Sequence, residues 1–258
     1  MSTRIAQPMR QFLNKVPEVT LFFWIIKMMS TTVGETAADF LNVDLNFGLS
    51  GTSLVMGGVL AVVLFFQVRS RRYVPSLYWL TVVLVSVFGT LVTDNLSDVL
   101  GVPMTISTGV FSMALMAVFA IWHAREKTLS IHHIDSVPRE MFYWLAILTT
   151  FALGTAAGDW FAEGLQLGYA NSALVFGGVI AAIAAAHYVF KASAVWSFWL
   201  AYILTRPFGA SLGDLISQPH ANGGLGLGAT GTSALFLVTI VGLVTYLSVS
   251  QIRVSNDS

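Results

Sequence analysis

Eight stretches of mostly apolar residues, each roughly 18–22 long, set the first limit on this chain, because an α-helix needs that length to cross about 30 Å of hydrocarbon. We read them as 20–41, 49–68, 76–98, 104–123, 141–162, 169–190, 195–217 and 229–250. Inside lipid every backbone N–H and C=O needs an internal partner, and the polar–apolar alternation of barrel strands is absent, so the expected fold is all-α. Composition agrees. Hydrophobic residues fill 55% of the chain and charged residues only 10%, against about 25% charged in a soluble domain. The principal partner is therefore the lipid bilayer. No cysteine is present, which excludes disulfides, thiolate metal sites and thiol chemistry.

Charge sorts the connections by side. Arg4, Arg10 and Lys15 precede the first span, and Arg69, Arg71 and Arg72 follow the second. Arg125, Lys127 and Arg139 follow the fourth, Lys191 the sixth and Arg253 the eighth. The opposite connections, around Asp44, Asp98, Glu163 and His220, hold no Lys or Arg. By the positive-inside rule both termini are expected in the cytoplasm, with the Met1–Thr20 region as a tail rather than a cleaved signal.

An internal repeat organises these spans. Trp24, Gly34 and Asp39 have the spacing W-x9-G-x4-D, repeated without a gap by Trp79, Gly89 and Asp94, by Trp144, Gly154 and Asp159, and by Trp199, Gly209 and Asp214. Copies one and three, and copies two and four, stand 120 residues apart. At the same offset the glycine-ended run 45–58 matches 165–178. A two-helix unit duplicated twice accounts for both facts, and the four units must run parallel about an axis along the membrane normal. The expected domains are a tail (1–19), a first four-helix half (20–123), a linker (124–140), a second half (141–250) and a short C-terminal tail (251–258).

These marked repeats, best seen in G-E-T-A-A-D (34–39) and G-T-A-A-G-D (154–159), resemble a bacterial family of integral membrane proteins built from four tandem two-helix repeats of unknown function. The resemblance covers nearly the whole chain. It implies this architecture and a bacterial inner-membrane location, and it implies no activity. Copy four departs from the pattern, with Arg206-Pro207 inside its helix and a longer Gly-rich outer loop.

The repeated residues divide by chemistry. The four tryptophans fall near the cytoplasmic ends of their helices, where an indole is expected as an interfacial anchor. The four glycines, and Gly57-Gly58 and Gly177-Gly178 on the second and sixth spans, are expected to let backbones approach closely. Asp39, Asp94, Asp159 and Asp214 are candidate functional groups, because a carboxylate within a membrane is costly unless paired or hydrated; the alternative is capping or solvation at the interface. One turn before them stand Glu35, Thr90, Thr155 and Ala210, so three copies offer a second oxygen on the same face.

Copy one is the most polar span, with Lys27, Thr31, Glu35 and Asp39 at every fourth position. Lys27 either snorkels to the interface or pairs inside. Arg206, about 10 Å deeper than Trp199 at 1.5 Å per residue, needs a carboxylate, and Glu35, Asp39 or Asp214 could supply it. Pro207 removes a backbone hydrogen bond and can kink the seventh helix, as in the broken helices of transporters. Oxygen-rich, sulfur-free surroundings suit hard cations, so Glu35, Asp39, Asp159 and Asp214 are candidate metal ligands. His132-His133 in the linker forms no compact metal motif.

Nucleotide-binding and hydrolase motifs are absent and the loops are short, so neither an ATP-driven nor an enzymatic activity is expected, nor a nucleic-acid partner. The charged membrane residues are two bases, Lys27 and Arg206, against five acids. That balance points to a small secondary transporter of a cation, a divalent metal ion or a small organic cation, coupled to protons or sodium, with no cofactor beyond the bound cation. A pseudo-fourfold cation channel and a non-transporting scaffold or sensor are the alternatives. An oligomer is compatible with all three.

Overall fold

The computed structural model describes residues 14–44 and 48–256. Among the described residues it is entirely helical. Helices α1 (Leu21–Asp39), α2 (Leu49–Arg69), α3 (Pro75–Asp94), α4 (Met104–Glu126), α5 (Val137–Asp159), α6 (Gly168–Tyr188), α7 (Ala194–Ser217) and α8 (Gly228–Asn256) follow one another through short connections. The linker is shorter than expected. Pro138, with no N–H to lose, sits in the first turn of α5 and starts that helix at Val137. Pro207 lies inside α7, which continues through it to Ser217. The C-terminal boundary also moves, because α8 runs on to Asn256.

The four odd helices form a closed inner ring. α1 packs on α3, α3 on α5, α5 on α7, and α7 back on α1. The four even helices lie outside, and each packs chiefly on the inner helix of the following repeat: α2 on α3, α4 on α5, α6 on α7 and α8 on α1. This hand-over ties each repeat to the next. Six helices, α2 to α6 and α8, are long and apolar enough to cross a membrane. Of these, the inner α3 and α5 are 67% and 72% buried, whereas the outer four are 11–22% buried. Leu54, Leu174 and Val238 accordingly project outward. α1 and α7 complete the inner ring and carry the buried charges Lys27, Glu35 and Arg206.

Glycine sets the ring's closeness. A Cβ on Gly34 would collide with Ser86, on Gly89 with Phe151, on Gly154 with Arg206, and on Gly209 with Thr31. In every case the residue met lies three positions before the glycine of the next inner helix, so the four helices run parallel in one register. Hydroxyls then bond across the seams. Thr32 Oγ1 donates to the Gly209 carbonyl at 3.0 Å, and Thr93 Oγ1 to that of Ala152 at 3.0 Å. The outer pairs split: Gly57 and Gly177 admit Phe88 and Phe208, while Gly58 and Gly178 face open space.

The tryptophans close the ring instead of anchoring it at an interface. Phe23 packs on Trp79, Tyr78 on Trp144, Tyr143 on Trp199 and Phe198 on Trp24, with ring centroids 5.5, 5.5, 6.2 and 5.7 Å apart. Each contact joins the residue before one Trp to the Trp of the next repeat. Trp79, Trp144 and Trp199 are buried, and Trp24 is half-buried. Tilted and edge-on aromatic pairs of this kind add about 0.5–1.5 kcal/mol each beyond the area they bury.

Candidate functional site

The axis of the ring is filled by two basic side chains at successive levels. Lys27 starts one turn beyond Trp24 and is buried, so it does not snorkel. Its Nζ reaches across from α1 to the diagonally opposite α5, 4.5 Å from the centroid of the Phe151 ring, and stands 4.2 Å from that of Tyr202. The Tyr202 carbonyl lies 3.5 Å from the same nitrogen. Tyr78 and Tyr143 share a 2.5 Å hydroxyl–hydroxyl hydrogen bond nearby in the aromatic layer.

Arg206 takes the next level and is fully buried. Its Nη2 donates to Glu35 Oε2 at 2.7 Å, to Thr155 Oγ1 at 2.6 Å and to Thr90 Oγ1. Nη1 donates to the Thr31 carbonyl at 3.0 Å. One guanidinium thus joins all four repeats. The residues it meets, Glu35, Thr90 and Thr155, all stand one position after their repeat glycine, and the fourth equivalent, Ala210, lies on the arginine's own helix. Gly154 makes room for the arginine stem. The Arg206 Nε has no hydrogen-bond partner.

One turn further on stand Asp39, Asp94, Asp159 and Asp214, all half-buried. Asp94, Asp159 and Asp214 each stand within electrostatic reach of Glu35 first and of neighbouring aspartates next: Asp39 for Asp94, Asp94 and Asp214 for Asp159, and Asp39 for Asp214. Asp98 and Glu163 extend the negative field at this end. In the first three repeats a π-helical turn begins immediately after the aspartate, at Phe40–Asp44, Asn95–Val99 and Trp160–Gly164. Such turns widen a helix and recur at functional sites. The fourth repeat has none and continues as α-helix to Ser217.

The structure therefore gathers Thr31, Glu35, Thr90, Thr155 and Arg206 in direct contact, with Lys27 one level toward the tryptophans and the aspartates one turn the other way. The proposed metal ligands Glu35, Asp39, Asp159 and Asp214 do not form a preformed cage. Among the described residues no three acidic or histidine side chains stand close enough to hold a metal ion. Sequence reasoning missed the aromatic partners of the tryptophans, although a Phe or Tyr precedes each one. It also missed four buried hydroxyls without hydrogen-bond partners, Thr52, Ser107, Ser172 and Thr232. They recur near the start of every outer helix, four residues after Gly48, Pro103, Gly168 and Gly228.

A ring of four parallel inner helices, jacketed by four outer ones that are apolar on their exposed faces, defines an integral membrane protein made of tandem two-helix repeats. The chain belongs to the Repeat of Unknown Function (DUF347) family, which matches it four times, at residues 22–73, 77–128, 142–193 and 197–253. Each match begins two residues before a repeat tryptophan. No curated protein and no solved structure matches the chain.

Proposed function

We propose that this protein is a small secondary carrier that moves a cation across a bacterial inner membrane, coupled to protons or sodium, with its termini and tryptophan layer on the cytoplasmic side. The observation that carries this reading is the Arg206–Glu35 pair at the centre of the ring, held by groups from every repeat. A cation drawn in by the four aspartates meets Glu35 as the next carboxylate. It can bind there only by competing with the guanidinium already in place. Displacing Arg206 releases the bonds that join the four repeats, so loading and rearrangement are one event. Alternating access by rocking one duplicated half against the other follows from that coupling.

The filled axis favours a carrier over a channel. Lys27 and Arg206 both cross it, so a fixed pore would be obstructed by two bases, of which only Arg206 is paired with a carboxylate among the described residues. The orientation rests on the basic residues Arg69, Arg71, Arg72, Arg125, Lys127, Arg139 and Lys191, all at the tryptophan end of the chain's spans.

The test is flux into proteoliposomes with a panel of monovalent, divalent and organic cations and a pH-sensitive dye. Saturable uptake of one cation, lost in Glu35→Gln and weakened in Asp39→Asn, supports the carrier. Fast non-saturating conductance would put the channel first. No flux for any cation from folded protein would sink the cation reading.

A further inference from the structure

The tryptophan end of the ring is covered by chain that the sequence places in solvent. Residues 14–16 and the linker between α4 and α5 lie together beneath the aromatic layer. The Lys15 N–H donates to the Ile134 carbonyl at 3.1 Å, and the Ile134 N–H to Asn14 Oδ1 at 3.2 Å. Val16, Leu129, Ile131 and Ile134 are all buried. Trp199 Nε1 donates to the Leu129 carbonyl at 2.9 Å, so the linker is bonded directly to a repeat tryptophan.

One charged node fastens this cover. Lys15 Nζ lies 2.5 Å from Glu140 Oε2, with side chains 8% and 1% exposed. The same ammonium donates to the Val68 carbonyl at the end of α2, at 2.9 Å. The other carboxylate oxygen accepts from Gln67 Nε2 at 3.2 Å and Trp144 Nε1 at 3.4 Å. First half, second half and N-terminal segment thus meet on one carboxylate.

We infer that residues 14–16 and the linker form a strap that seals the tryptophan end, with Lys15–Glu140 as its latch, and that the strap lifts when this end opens. The inference deepens the carrier reading and rests on it for the need to open. The physics favours a latch over a structural plug. A buried ion pair contributes little net stability, because desolvation cancels most of its attraction, and apolar residues of the same volume would hold the cover at least as firmly. A pair at the edge of the ring regains its hydration when it separates, so it opens at lower cost than an apolar plug. Rocking of the halves must also break it, because Gln67 and Val68 belong to the first half and Glu140 and Trp144 to the second.

The chain's lack of cysteine makes the test direct. Val82, fully buried on α3 one turn beyond Trp79, is replaced by cysteine as a reporter under the strap. Its reaction with a membrane-impermeant thiol reagent is timed in proteoliposomes with the tryptophan end outward. Glu140→Gln and Lys15→Met, each in this background, are expected to raise the labelling rate about tenfold. The charge swap Lys15→Glu with Glu140→Lys is expected to bring it back within about twofold of the parent. Size-exclusion profiles of both single variants check that they remain folded; if one misfolds, the other carries the comparison. Parent-like labelling in a folded single variant, or a swap as reactive as the singles, would overturn the latch. Because labelling needs no substrate, raised labelling in a protein without cation flux would keep the strap and remove the cation.

Discussion

Glu35→Gln leaves the Arg206 guanidinium in place and removes the negative charge 2.7 Å from it. The arginine side chain is 0% and the glutamate 10% exposed, so water cannot compensate the loss. Breaking a buried pair from one side costs about 3–5 kcal/mol, since one charge is left uncompensated. Gln still accepts a hydrogen bond, and Thr31, Thr90 and Thr155 still hold the guanidinium, which places the expected cost near the lower bound, about 3 kcal/mol. At roughly 2–4 °C per kcal/mol for a chain of 150–250 residues, the midpoint falls by about 6–12 °C. Arg206→Met is expected to cost a similar amount, because Glu35 is then the stranded charge. In the double variant neither charge remains, and apolar or neutral replacements for a buried pair are often tolerated. The double variant is therefore expected to be more stable than the sum of the singles by about 2 kcal/mol or more, within the usual range for contacting residues. Thermal unfolding in detergent, followed by the fluorescence of the buried tryptophans, completes the cycle. Single variants within about 1 kcal/mol of wild type, or strictly additive effects, would refute the claim that the two buried charges compensate each other at the centre of the ring.

Two further outcomes follow from the packing. Gly154→Ala drives a methyl group into the stem of Arg206 and against Pro207, and is expected to cost about 1–3 kcal/mol; Gly178→Ala meets nothing within 4 Å, and is expected to be neutral or to stabilise by up to about 1 kcal/mol through helix propensity. Equal effects in the same unfolding assay would show that the repeat glycines do not set the helix spacing. Tyr143→Phe and Tyr78→Phe each delete the shared hydroxyl hydrogen bond and are expected to cost about 1 kcal/mol singly, with the double variant little worse than either single. Denaturant titration of the three variants measures this, and full additivity would mean the two hydroxyls act separately.

Much of the architecture was legible in one dimension. Apolar length and polarity located eight helices to within about four residues, apart from the end of the last, which runs six residues further to Asn256, because the cost of an unpaired backbone in lipid leaves helix as the sole solution for such runs. The W-x9-G-x4-D spacing made four equivalent units visible, and equivalence demanded a shared axis. The polar face of α1, Arg206 and the oxygens one turn before the repeat aspartates named the residues that meet at the centre. What each would touch was not legible. Three carboxylates were offered to Arg206, and only the register of the ring chose Glu35. The tryptophans were expected at a lipid interface, because their position along a helix predicts depth and says nothing about direction around it. Direction comes from neighbours: each Trp faces the aromatic residue of the preceding repeat. Lys15–Glu140 was invisible for a related reason, since its partners lie 125 residues apart and join segments that read as solvated. Local composition determined which segments enter the membrane and how they repeat. Tertiary packing alone decided which faces turn inward, because close approach at the glycines fixes the rotation of each helix and thereby which charge meets which.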